Sequence, residues 1–142
     1  MAHWLYKSEP SVWSWSQQVA AGRDGTFWSG VRNHSAKLNL MAMTLGERGF
    51  FYHSNEGKAV VGIVEVSRTY YPDHTDASGR FGMVDIRAVK AMARPVTLDA
   101  IKAEPGLKGM ILVNNSRLSV QPVTKAEYDI VVKLGKRAKP SA

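Results

Sequence analysis

The sequence predicts an α+β domain: a compact, partly closed sheet with short helices packed around it. Three observations carry this. Strand-like segments are interrupted irregularly by short helical stretches rather than alternating with them, which argues against a doubly wound parallel sheet. The longest strand-like segment, AVVGIVEVSRTYY (59–71), starts apolar on both faces, as in a sheet covered on both sides. And 142 residues suffice for one hydrophobic core and hardly for two.

HWLYK (3–7) has the aromatic and apolar content of a short strand, and Pro10 ends it. Ser14 followed three residues later by Gln17 is a capping-box spacing, which predicts a helix from Trp15 to about Ala21. GRDGT (22–26) is turn chemistry. From Ser35 to about Met43, the apolar positions Ala36, Leu40 and Met43, with Leu38 and Met41, suit a second helix. Leu45-Gly46-Glu47 then turns the chain into the strand RGFFYHS (48–54), in which Phe51 rather than Tyr52 is expected to face the core.

Asn55-Glu56-Gly57 reads as a tight connection into the long strand, where Val60, Gly62, Val64 and Val66 fall on one face and Val61, Ile63 and Glu65 on the other. Pro72 to Gly82 has the polar, turn-rich composition of a surface loop. MVDIRAVKAMA (83–93) alternates more clearly, with Val84 and Ile86 opposite Asp85 and Arg87. Thr97 opens a short helix, LDAIKAE, which Pro105-Gly106 ends. RLSVQPV (117–123) is a last strand stopped by Pro122, and Thr124 with Glu127 is a second capping box that starts a helix through Tyr128, Ile130, Val131 and Leu134. Without internal repeats or a low-complexity linker, residues 1–134 read as one domain and 135–142 as a basic, flexible tail.

An apolar fraction of 44% and a charged fraction of 22% are those of an ordinary globular chain. No apolar run approaches the roughly 20 residues a bilayer span requires, and MAHWLYKSEP lacks the basic start and apolar stretch of a secretory leader. Zero cysteines exclude disulfides, thiolate catalysis and Cys-based zinc sites. The expectation is a cytoplasmic monomer, nucleoid-associated if bacterial, with no membrane contact. Of the net charge of +7, residues 1–71 contribute +2 and residues 72–142 contribute +5. Four of the positive residues, Lys133, Lys136, Arg137 and Lys139, sit near the end without an acid beside them. The body is only mildly basic, so a wide phosphate-binding face is not indicated; the basic end either contacts a nucleic-acid backbone or serves solubility.

Local motifs do not favour catalysis. No serine sits in a G-x-S-x-G elbow, no P-loop or G-x-G-x-x-G is present, and His3, His34, His53 and His74 are scattered without a ligand-pair spacing, so no metal is expected. Binding by stacking fares better. Phe27 and Trp28 lie beside Arg32 and Asn33, and Phe51 and Tyr52 lie beside His53 and Ser54. A planar heterocycle needs such company, a flat ring to stack on and polar groups to meet its edge. Trp28 itself reads two ways, as a core residue near a helix start or as a pocket wall. Trp4, Trp13 and Trp15 read as packing. Lys7-Ser8-Glu9-Pro10 is either a solvated strand end or part of a site, and Ser119 and Gln121 either face solvent or form a polar wall.

Together these segments resemble the EVE domain family. The resembling pieces are WLYKSEP (4–10), WSGVRNHSAKLNL (28–40), LGERGFFYHS (45–54), VVGIVEV (60–66), YYPD (70–73) and RLSVQPV (117–123), in order along nearly the whole chain. His34-Ser35 departs from the family's frequent aromatic residue and glutamine, and Lys37 stands where arginine is common. The resemblance implies a PUA-like fold, a bent mixed β-barrel with short helices, related to domains that read modified bases. It implies a non-catalytic nucleic-acid-binding module that recognises a methylated or hydroxymethylated cytosine, in DNA rather than RNA, with no cofactor. The implied pocket uses Trp28, Val31, Arg32 and Asn33, then Tyr52, His53 and Ser54, then Lys7 and Ser8, with Ser119 and Gln121 near or behind it. The alternatives are a small enzyme acting on a nucleotide, with His53 as acid or base, and a pocket for some other planar heterocycle.

Overall fold

The strand-forming runs assemble into one sheet. A computed structural model describes residues 2–115 and 117–136. Its strands are β1 (His3–Ser8), β2 (Thr26–Phe27), β3 (Arg48–His53), β4 (Ala59–Pro72), β5 (Gly82–Thr97) and β6 (Val120–Val123), in the order β2-β5-β4-β3-β1-β6. Every neighbouring pair is antiparallel except β1 and β3, which run parallel with Tyr6 opposite Phe51 and Ser8 opposite His53. That parallel pair needs a crossover, which carries the helices α1 (Trp15–Ala20) and α2 (His34–Ala42). The remaining helices are α3 (Leu98–Ala103), α4 (Ile111–Asn114) and α5 (Lys125–Lys136), with a 3-10 turn at Pro105–Leu107.

The sheet is bent but not closed. The long strands β4 and β5 shift register at four places between Val60 and Tyr71, and such bulges bend and twist a pair. They also break the alternation expected for β4: Val60 and Ile63 join one core cluster, whereas Val64 and Val66 join the other. Helices cover both faces, so burial on β3 does not alternate. Phe51 packs with Trp4, Tyr6 and Trp28 under α1 and α2, while Phe50 and Tyr52 pack with Leu5, Leu107 and Val131 under the later helices. The expectation that Tyr52 faces away from the core therefore fails; it faces a second one.

Both capping boxes form. Gln17 N–H donates to Ser14 Oγ at 3.2 Å and Ser14 N–H to Gln17 Oε1 at 2.8 Å. Thr124 and Glu127 exchange the equivalent bonds at 3.0 and 3.1 Å. Helix α5 continues through Lys136 with Gly135 buried, past the boundary read at 134.

Gly25 sets the approach of β2 to β5. Its φ of 73° is left-handed, and a Cβ there would lie 2.2 Å from the Ile86 carbonyl oxygen. Gly25→Ala is therefore expected to lower unfolding stability by about 1–3 kcal/mol from overpacking, with roughly 1–2 kcal/mol more from the backbone conformation. Urea denaturation measures this; a midpoint equal to that of the parent would contradict it.

Candidate functional site

A cavity of about 560 Å³ opens where three segments meet at the end of β1. Lys7, Ser8 and Glu9 line it with Ser119; Val12 and Trp13 contribute from the following turn; Thr26 to Val31 complete it. The turn is built by hydrogen bonds back to the strand end. Val12 and Trp13 N–H donate to the Glu9 carbonyl at 2.9 and 3.0 Å, and Ser8 Oγ donates to the Trp13 carbonyl at 2.6 Å. Trp13 Nε1–H donates to Gln18 Oε1 at 2.9 Å, and the buried Gln18 amide donates to the Ile86 carbonyl at 2.9 Å. The indole is thereby tied through α1 to the sheet.

Trp28 meets both readings. It is only 8% exposed and stands edge-on to Tyr6 and Phe51, with ring centroids 5.5 and 5.7 Å away, yet it also lines the cavity. Its N–H donates to the Val84 carbonyl at 2.8 Å, fixing the residue as the chain leaves β2.

The turn after Trp28 hangs on Asp73. This carboxylate, 3% exposed, accepts from Gly30 N–H at 2.8 Å, Thr75 N–H at 2.7 Å, Thr75 Oγ at 2.6 Å and Arg32 Nη1 at 3.2 Å. Burial alone would raise its pKa, but the bonds from Thr75, Gly30 and Arg32 outweigh burial and hold it down to about 2. Nothing in the polar composition of 72–82 distinguishes this residue from a solvated loop aspartate.

Of the sequence-derived site residues, Lys7, Ser8, Trp28, Val31 and Ser119 come together around the cavity. The others do not line it. The Arg32 guanidinium bridges Asp73, the Val31 carbonyl and Thr75 Oγ1. Asn33 is the N-cap of α2, its Oδ1 accepting from Ala36 N–H at 3.0 Å, the usual work of an asparagine before a helix. Tyr52 belongs to the opposite core, where burial raises its hydroxyl pKa. His53 Nε2 accepts from Trp15 N–H at 3.1 Å, and burial lowers its pKa. Ser54 N–H donates to the Ser8 carbonyl at 2.9 Å. Gln121, fully buried, donates to the Leu118 carbonyl at 2.7 Å and so steadies the turn that presents Ser119.

Lys133 and Lys136 are exposed on α5, which packs on the face opposite Trp28. Arg137 and Lys139 lie outside the described residues. The lining also holds Val12, Trp13, Thr26, Ser29 and Gly30, which the sequence reading left out of the site, and Glu9 and Phe27, which it raised as candidates outside the implied pocket. Their signal was adjacency to Ser8 and Trp28, together with Pro10, which stops the strand and lets the turn fold back. Among the described residues, no three His, Asp or Glu side chains converge as a metal site.

The model of the EVE domain matches residues 2–134. The chain belongs to the EVE domain family. Thymocyte nuclear protein 1 of Gallus gallus is 39% identical over an alignment covering 93% of this EVE domain chain and 68% of that protein. A solution structure of a Rhodopseudomonas palustris protein superposes with a TM-score of 0.91 at 59% identity, covering 99% of each chain. The human THYN1 protein, crystallised in complex with 5-methylcytosine-containing DNA, gives a TM-score of 0.91 at 35% identity, covering 97% of this chain and 99% of that one. The YTH domain of the Zygosaccharomyces rouxii MRB1 protein shares the fold alone, with a TM-score of 0.58 at 19% identity over 99% of this chain and 88% of that one.

The depressed pKa of Asp73 makes a pH prediction. Its stabilisation is fully present above the ordinary carboxylate value of 3.8 and is lost as pH falls through about 2. Asp73→Asn is expected to lose about 2 kcal/mol at pH 7 and to flatten the stability profile between pH 4 and pH 2. Denaturation series across that range check it; a variant as acid-sensitive there as the parent would count against the assignment.

Proposed function

We propose that the cavity receives a modified nucleobase displaced from DNA, of the 5-methylcytosine kind, and holds it without converting it. The observation that carries this is the composition of the wall: two tryptophans from separate segments, Trp13 and Trp28, beside the apolar Val12 and Val31 and three uncommitted hydroxyls. The hydroxyls of Thr26, Ser29 and Ser119 make no hydrogen bond to any described residue. A flat ring finds stacking partners, its edge finds donors and acceptors, and a methyl group finds an apolar niche. The DNA-bound human relative supports the same ligand class.

Magnitudes fit a reader of modest affinity. Displacing a base costs a few kcal/mol, stacking on an aromatic offsets about 1–3 kcal/mol, and each edge hydrogen bond adds on the order of 1 kcal/mol. A methyl niche discriminates by about 1–3 kcal/mol. The groups an enzyme would use are engaged otherwise: Ser8 Oγ donates to a carbonyl, and His53 accepts a helix amide away from the cavity lining.

Trp13 is the position to test, because truncating Trp28 would also empty the core between Tyr6 and Phe51 at about 3–5 kcal/mol. Titration calorimetry with a 5-methylcytosine oligonucleotide should show Trp13→Ala binding about 5- to 150-fold more weakly. Mass spectrometry should return the oligonucleotide intact. Undiminished binding by the variant, or a chemically altered oligonucleotide, refutes the proposal.

A further inference from the structure

The cavity lining contains one carboxylate, Glu9, at the end of β1. Its residue is exposed; one oxygen accepts from Asn55 Nδ2 at 2.6 Å, and the other accepts from no described residue. Asn55 is placed for this by a left-handed backbone, φ 63°, which asparagine tolerates better than most residues. The Ser54 to Ser8 backbone bond holds that turn against the strand end.

For a protein of net charge +7 whose proposed partner is a polyanion, an acid at the entrance repels the phosphates. Such a group is tolerated when it accepts a hydrogen bond from the ligand. What it can accept is set by the chemistry around it. Glu9 is acceptor-only and the neighbouring Lys7 ammonium is donor-only, while Thr26, Ser29 and Ser119 can do either. The cytosine-type base of the reading above meets this pair when its 4-amino group lies on Glu9, donating to the carboxylate while N3 or O2 accepts from the ammonium. Thymine and uracil present an oxygen at position 4 and a proton on N3, setting acceptor against acceptor at the first of these positions.

We infer that Glu9 is the specificity-determining acceptor of this site, taking the 4-amino proton of a cytosine-type base and thereby rejecting the 4-oxo analogue. The inference rests on the base-binding reading above and adds the Watson–Crick edge to it. Selection for the methyl group and selection for the amino group then belong to different walls, the first to the valines and the second to Glu9.

Thymine and 5-methylcytosine share the C5 methyl group, so comparing them isolates position 4 and N3. The experiment measures binding of two single-stranded oligonucleotides that differ only in that base, by the parent, Glu9→Ala and Asn55→Ala. The parent should prefer 5-methylcytosine by about 5- to 150-fold. Glu9→Ala should bring the two affinities within about twofold of one another, the loss of a 1–3 kcal/mol contact. Asn55→Ala, which removes the partner but keeps the carboxylate, should retain most of the preference. A preference that survives in Glu9→Ala overturns the assignment, as does an equal loss in both variants, which would make the Glu9–Asn55 bond merely structural. A parent that binds both oligonucleotides equally overturns the Glu9 assignment while leaving base binding standing. A parent that binds neither overturns base binding itself.

Discussion

The buried carboxylate of Asp73 holds the site together. It joins two turns more than 40 residues apart in sequence, taking one backbone N–H from Gly30, the Arg32 guanidinium, and the amide and hydroxyl of Thr75. A carboxylate this deeply buried is costly unless its lone pairs are filled, and here four donors fill them. Without it, the stretch from Trp28 to Asn33 would be an unsupported glycine-containing turn. With it, the chain leaves β2 on a fixed path, so Trp28 faces the cavity and Asn33 reaches the position from which it caps α2.

The same reasoning sorts the polar groups around the cavity. Ser8, Gln18, Arg32, Asn33 and His53 have their hydrogen-bonding capacity directed at named protein atoms, so their work is to place walls. Thr26, Ser29 and Ser119 have none so directed, and one Glu9 oxygen is likewise uncommitted. A polar group with a fixed intramolecular partner gives little to a ligand, because the bond gained must replace one lost. The uncommitted set is what an entering ring would meet, and the committed set is why the meeting point is rigid.

Much of the fold was legible because its signals are local. Capping boxes at Ser14 and Thr124, the Pro10 stop and the glycine turns each act within a few residues, and the elements they delimit are present; Pro122, read as a stop, instead lies inside β6, which runs on to Val123. Features that depend on distant partners were not legible. The register shifts in β4 and β5 move Val60 away from Val64 and Val66 to the side of Ile63, and alternation alone cannot foresee a bulge. β2 is two residues long and exists only because Gly25 lets it approach Ile86. In the site, Trp28 was readable from an aromatic placed in a glycine turn, and Val31 from the family resemblance. Asp73 was not, since its burial depends on donors brought from Gly30 and Arg32. Trp13 packs partly against the core, as its sequence suggested, but that it also lines the cavity depends on a backbone turn closed by the Ser8 hydroxyl. Asn33 also does the local work that an asparagine just before a helix signals, capping α2.

Under the proposed reading, the two tryptophans divide the labour between stability and recognition. Trp28 is wedged between Tyr6 and Phe51, so its orientation is set by the core before any ligand arrives, and little of its freedom remains to be lost on binding. Trp13 is half-buried and held by a single indole hydrogen bond to Gln18, itself anchored on Ile86. One wall is therefore part of the fold, and the other is a side chain on a turn that the fold supports. A site made this way can change what it accepts at Glu9, Val12 and Trp13 without disturbing the sheet, whereas change at Trp28 or Asp73 reaches the core at once. Variation in ligand choice among domains built on this frame should accordingly concentrate in the turn after β1, where the backbone bonds to the Glu9 carbonyl are independent of which side chains the turn carries.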